Sequence, residues 1–162
     1  MKLYFLRHGI AQDISETEGN DFARALTPKG IDRLETSAKA MANLGLKPAH
    51  IFSSPLVRAK QTAEIVGKAI GVPVTVETKV GPGFNAQIVA ELITDLSSAD
   101  DVMFVGHEPS MSEIVSVLTG GSSVVMKKGG LARLDTVRMA PLRCALVWLI
   151  APAVFVDADD DD

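Results

Sequence analysis

The chain is predicted to fold as an α/β domain, a three-layer α/β/α sandwich around a mostly parallel central sheet. Three observations carry this. Short apolar runs alternate along the chain with amphipathic segments of helical spacing, the pattern of strand–helix–strand units. The runs at residues 3–6 and 102–105 are apolar throughout rather than alternating, as in strands covered on both faces. Three strand ends run straight into charged residues, the place where open α/β sheets bind ligands.

Residues 2–6 read as a short buried strand ending in Arg7-His8-Gly9, and the polar stretch 13–25 as a surface loop. "LTPKG" then starts a helix, with Thr27 as N-cap and Pro28 at the first helical position. Leu34, Ala38, Met41 and Ala42 keep helical spacing as far as Leu44, and Gly45 stops it. Residues 49–54 form a second strand, and Ser54 is placed to cap a helix that continues to about Ile70. "GVPVTVE" is a third strand, followed by a loop at 81–83. Residues 86–97 carry Ile88, Val89, Leu92, Ile93 and Leu96 on one helical face. Val102–Val105 is the fourth strand. Pro109 and Ser110 open a helix to Leu118, which Gly120-Gly121 end. After a loop at 119–130, two stretches with β alternation meet at a turn around Ala140-Pro141.

The 162 residues fit one domain, expected over 1–156, with 157–162 as an acidic disordered tail. That tail holds Asp157, Asp159, Asp160, Asp161 and Asp162, so the body is near +1 although the chain carries −4. A near-neutral body without a basic aromatic stripe argues against nucleic-acid binding. The N-terminus has four apolar residues before Arg7, too few for a signal peptide. The longest apolar run, Cys144–Val156, is interrupted by Pro152 and below spanning length, so no membrane partner is expected. The single Cys144 allows no intrachain disulfide and reads as an inert core thiol. A cytoplasmic setting follows.

The chemistry collects at three strand ends: Arg7-His8-Gly9, Arg58 just inside a helix, and Gly106-His107-Glu108-Pro109. One crevice is expected to gather two arginines, two histidines and two helix N-termini. Helix starts and guanidinium forks both favour anions, so the bound group should be a phosphoryl or similar oxyanion. A metal fits poorly, because guanidiniums repel a cation and no carboxylate or thiolate completes a ligand set. No cofactor is called for. His8 makes better sense as a nucleophile, presenting one neutral ring nitrogen while the other donates to a backbone carbonyl. Gly9 would let the backbone turn tightly. His50 reads as a strand-edge residue and Lys60 as solvated.

Four segments, "LRHG" (6–9), "LTPKG" (26–30), "SSPLVRAKQTAE" (53–64) and "VGHEPSM" (105–111), resemble the histidine phosphatase superfamily, also called phosphoglycerate mutase-like. The short chain without a large insertion looks most like the SixA-type phosphohistidine phosphatases. The resemblance implies a minimal phosphoglycerate mutase-like fold and a covalent phospho-His8 intermediate. It assigns phosphoryl binding to Arg7 and Arg58, and stabilisation of the transferring group to His107. Backbone groups at Gly9 and Glu108 would help hold the phosphate. The implied partner is a phosphohistidine-bearing protein, either a phosphotransfer domain or a phosphocarrier.

Two departures bear on the substrate. The residues after the first motif, "IAQDIS", hold no Asn, and "KVGPGFN" holds no acid; Glu77 lies just before it. Many superfamily members carry a Glu or Asp proton donor in an insertion. An alkoxide needs such a donor to leave, whereas imidazole leaves a phosphorus–nitrogen bond as a neutral ring. The sequence therefore favours phosphohistidine. The alternatives are a small-molecule phosphomonoesterase and a non-catalytic phosphoprotein-binding module.

Overall fold

The computed structural model describes residues 1–155; the predicted tail at 157–162, with Val156, lies outside the described residues. A six-stranded sheet runs β3-β2-β4-β1-β5-β6. Its strands are β1 (Lys2–Arg7), β2 (His50–Ser53), β3 (Val74–Val76), β4 (Val102–Gly106), β5 (Leu131–Met139) and β6 (Leu142–Ile150). The helices are α1 (Pro28–Asn43), α2 (Val57–Ile70), α3 (Ala86–Ile93) and α4 (Ser110–Leu118). The first four strands pair in parallel, while β5 runs antiparallel to both β1 and β6.

The unbroken apolar strands have the expected cause. Leu3 and Phe5 of β1 and Val102 and Phe104 of β4 face α3 and α4. Their neighbours Tyr4, Leu6, Met103 and Val105 face α1 and α2. Successive side chains point to opposite faces, and here both faces are covered. Phe104 stands at the centre of the first layer, with ring centroids 5.5 Å from Phe5, 5.9 Å from Phe52 and 5.4 Å from Phe84.

Helix α1 starts as its sequence requires: Thr27 accepts the Gly30 N–H on its side chain at 3.0 Å, with Pro28 in the first turn. A Cβ at Gly30 would collide with the carbonyl of Ile10, so glycine there lets α1 lie against the strand exit. Helix α2 departs from expectation. It begins at Val57 with Leu56 at the N-cap and no side-chain cap. Ser54 instead accepts the Leu56 N–H at 3.3 Å across a bend at Pro55-Leu56, and the helix starts two residues later than expected. Helix α3 stops at Ile93, four residues short of expectation, and turns at 97–100 follow. Segment 13–25 holds two 3₁₀ turns, Ile14–Thr17 and Asp21–Ala23.

Replacing Phe104 by Ala should lower unfolding free energy by about 3–5 kcal/mol in a denaturant titration. A loss under about 1 kcal/mol would show that the aromatic layer is not the core of this face.

Candidate active site

The parallel register sets the site. Arg7 of β1 pairs with Gly106 of β4, so the two charged segments leave the sheet side by side. The His8 N–H donates to Gly106 O at 2.9 Å, and Gly129 N–H donates to the carbonyls of Arg7 (3.1 Å) and His8 (3.0 Å). The nucleophile candidate therefore sits on backbone that is hydrogen-bonded from both sides.

His8 is buried. Its Nδ1 lies 2.7 Å from Gly9 O, which makes Nδ1–H the donor and leaves Nε2 with its lone pair. Arg58 Nε–H donates to that Nε2 at 3.3 Å, consistent with the same tautomer. The His107 ring stands with its centroid 5.2 Å from that of His8. His107 Nε2 pairs with Ser54 Oγ at 2.7 Å. Arg7 closes the group through Nη1–H donated to Met126 O at 2.7 Å. His8, Arg7, Arg58 and His107 thus come together. Arg7 Nε and His107 Nδ1 are buried and lack a hydrogen-bond partner among the described residues.

Gly9 and the Glu108 side chain are both engaged within the protein. The Gly9 N–H is donated to Thr62 Oγ1 at 3.1 Å. Gly9 does not need a left-handed backbone; its φ is not among the positive ones. A Cβ there would stand 2.5 Å from Leu34 Cδ1, so the Leu34 side chain would have to shift to admit one. Glu108 precedes a cis peptide to Pro109, and its carboxylate accepts from Ser112 Oγ at 2.9 Å. That carboxylate acts on Arg7 by charge, partly opposing the lowering of the guanidinium's pKa by burial.

Sequence reasoning missed the acid at the site. Asp21, from the second 3₁₀ turn, accepts Arg58 Nη2–H on its carboxylate at 3.0 Å and Nη1–H on its carbonyl at 2.7 Å. Arg24 Nη1–H reaches the other carboxylate oxygen at 2.9 Å. These hydrogen bonds, that from Arg24 foremost, hold the Asp21 carboxyl below its ordinary value, so it is an ionised clamp on Arg58. Asp21 lies 37 residues before Arg58 in a polar loop, and no local pattern marked it.

One face of α2 organises the rest. Gln61 Oε1 accepts the Leu26 N–H at 2.7 Å and ties the loop end down. Thr62 Oγ1 donates to Arg58 O at 2.7 Å while accepting from Gly9. "SSPLVRAKQTAE" is therefore a wiring segment as much as a ligand segment. Among the residues set aside, His50 Nε2 lies 3.4 Å from Asp100 on the sheet, and Lys60 pairs loosely with Glu64 at 3.8 Å. Cys144 is buried, and burial pushes its thiol up to about 11. Among the described residues, no three His, Cys, Asp or Glu side chains form a metal-binding group.

Paired imidazoles and guanidiniums at the C-terminal ends of parallel strands define a phosphoryl-handling protein of the α/β class. The profile of the histidine phosphatase superfamily (branch 1) matches residues 3–80. An uncharacterised protein of Picosynechococcus sp. is 34% identical over 137 residues, 81% of this chain and 82% of that one. Phosphohistidine phosphatase SixA of Escherichia coli is 25% identical, over 78% of this chain and 79% of its own. The structure of the protein histidine phosphatase SixA complexed with tungstate superposes with a TM-score of 0.84 at 22% identity, covering 96% of this chain and all of that one. This chain belongs to the histidine phosphatase superfamily, in its minimal, SixA-like form, and is a phosphatase.

Both site histidines are driven below the usual value of 6.5, His8 to about 3 and His107 to about 4. Burial is the largest cause for each; the neighbouring arginines add to it. The Gly9 hydrogen bond opposes the shift at His8, and Asp21 opposes it at His107. Between pH 6.5 and these lowered values the unfolded chain binds protons that the native site refuses. Stability from the two neutral rings is therefore full above 6.5 and is lost as pH falls toward 3–4. The thermal midpoint should drop as buffer pH is lowered from neutral toward 5, and less steeply in His107→Gln. Equal slopes for both proteins would show that His107 is not held neutral.

Proposed function

We propose that this phosphatase hydrolyses phosphohistidine on a protein through a covalent phospho-His8 intermediate, without a metal, in the cytoplasm. The observation that carries this is the His8 ring: neutral, buried, locked through Nδ1 to Gly9 O, with the Nε2 lone pair turned toward Arg58. A fixed tautomer with a free lone pair is what an imidazole nucleophile requires.

In the first step Nε2 attacks phosphorus in line. The bond between phosphorus and the substrate imidazole breaks, and its electron pair stays on the departing nitrogen; the ring leaves neutral because its other nitrogen already carries a proton in the substrate. Arg58 Nε–H moves from the His8 lone pair to a phosphoryl oxygen as attack begins. Arg58, Arg7 and His107 stabilise charge on the equatorial oxygens. In the second step water attacks phospho-His8, releasing inorganic phosphate and neutral His8. The two guanidiniums do electrostatically what a cation does elsewhere, and their charge would repel one.

The acid at the site supports phosphohistidine over an alkyl ester. Asp21 is held ionised by two arginines, so it is poorly suited to protonate an alkoxide. Imidazole leaves without that help. The relatives named for SixA and the tungstate bound by one of them agree with an oxyanion site of this kind.

His8→Ala should abolish turnover of a phosphohistidine-bearing protein, and acid-labile label should be trapped on His8 only in the unsubstituted chain. Wild-type turnover by the variant would remove the nucleophile assignment. Efficient hydrolysis of alkyl phosphates with none of phosphohistidine would move the reading to a small-molecule phosphomonoesterase. Asp21→Asn should lower kcat by about ten- to a hundredfold by loosening Arg58. Tungstate affinity should not weaken, since the carboxylate's repulsion leaves with it. A matching loss of affinity would show that Asp21 serves only to keep its loop folded.

A further inference from the structure

His107 is flanked from both sides of its own strand. β4 lies between β1 and β2 in the sheet, and His107 follows its last residue. On the β1 side Arg7 pairs with Gly106, so His8 leaves the sheet beside His107. On the β2 side Ser53 pairs with Val105, and the Ser54 N–H donates to Val105 O at 3.0 Å. The same parallel register therefore carries Ser54 to the other flank of His107. Ser54 is fully buried, and its Oγ lies 2.7 Å from His107 Nε2.

Counting donors and acceptors fixes the direction of the proton in that contact. A serine hydroxyl has one O–H to give and two lone pairs to offer. One lone pair takes the Leu56 N–H at 3.3 Å. Among the described residues, the acceptor within reach of the O–H is His107 Nε2. If the hydroxyl donates, Nε2 spends its lone pair and the ring proton stands on Nδ1. A single buried group, Nδ1–H, is then without a partner among the described residues. If Nε2 carried the proton, Oγ would accept twice and its own O–H would have no acceptor. Nδ1 would meanwhile hold an unused lone pair, so two buried groups would go unmet, and each such group is costly. A doubly protonated ring also strands the O–H, and burial and then Arg58 oppose its charge.

We propose that Ser54 is a positioning residue that keeps the His107 proton on Nδ1, making Nδ1–H a standing donor for a phosphoryl oxygen. Both site rings then carry their proton on the same atom but are tied down by opposite ends. His8 spends its N–H on Gly9 O and keeps the Nε2 lone pair. His107 spends its Nε2 lone pair on Ser54 and keeps an N–H. One ring is left to supply an electron pair and the other a hydrogen bond. The other tautomer of His107 would offer a lone pair to negatively charged oxygens and repel them. A neutral donor adds to the two guanidiniums without placing a third positive charge in a buried group. The inference rests on the proposed role of His107 at the phosphoryl group, not on phosphohistidine as the substrate.

The first readout is the resting protein. Long-range nitrogen–proton NMR spectra of the unsubstituted chain at neutral pH should show His107 protonated at Nδ1 and bare at Nε2. A proton on Nε2 would overturn the proposal. Ser54→Ala should release the ring into a mixture of tautomers and weaken binding of inorganic tungstate about tenfold. In a His107→Gln background the same change should alter tungstate affinity by less than about twofold, since the hydroxyl acts through the ring. An equal loss in both backgrounds would overturn the proposal and leave Ser54 only a part in the start of α2. So would a Ser54→Ala protein with an unchanged His107 spectrum and unchanged tungstate affinity. The spectrum of the unsubstituted chain needs no variant, so a folding defect in Ser54→Ala would not blunt the test. Every readout uses resting protein or tungstate, so failure of phosphohistidine turnover would leave them standing.

Discussion

The site depends on one short hydrogen bond, from His8 Nδ1–H to the carbonyl of the next residue. Imidazole has two nitrogens of similar basicity, and a free ring exchanges its proton between them. Anchoring Nδ1–H to Gly9 O removes that freedom and leaves a single nitrogen able to use its lone pair. The bond needs the Gly9 carbonyl turned back toward its own neighbour. Thr62 secures that geometry by taking the Gly9 N–H, and Leu34 packs where a side chain would otherwise stand. The contacts around His8 serve this arrangement and the position of Arg58.

Holding the ring neutral has a structural cost. A buried imidazole beside two arginines is penalised for charging, and the same surroundings lower His107. The guanidiniums themselves are kept in place by acceptors the protein supplies: Met126 O for Arg7 and Asp21 for Arg58. The pocket is thereby assembled around donors whose charge is balanced at the rim rather than at the centre. Asp21 and Glu108 are both outside the reacting group but within its field.

The strands, their two-sided burial and the gathering of Arg7, His8, Arg58 and His107 were legible in the sequence, because each rests on local spacing or on strand ends. Strand order was not, since the placement of β4 between β1 and β2 depends on packing of distant segments. Ser54 illustrates a subtler limit. Its position before a helix is that of a cap, yet the helix starts at Val57 and the hydroxyl meets His107 instead. Gly9 was expected for backbone freedom, but its φ is not positive and its close neighbour is the Leu34 side chain. Asp21 left no sign because a lone aspartate in a polar loop is ordinary until its partner across the fold is known.

Helix α2 carries an arginine of the candidate site and the fasteners for two earlier segments within two turns: Arg58, Gln61 and Thr62. The loop at 13–25 is held chiefly at its ends, by the pairing of Gln12 with Ala25 and by Gln61 on Leu26, with the Asp21 contact between. Changes of length that leave the Gln12–Ala25, Gln61–Leu26 and Asp21–Arg58 contacts in place leave the site residues where they are. A chain built this way can acquire a new roof, and with it a new range of substrate sizes, by insertion into a single loop, leaving the chemistry encoded in the helix untouched.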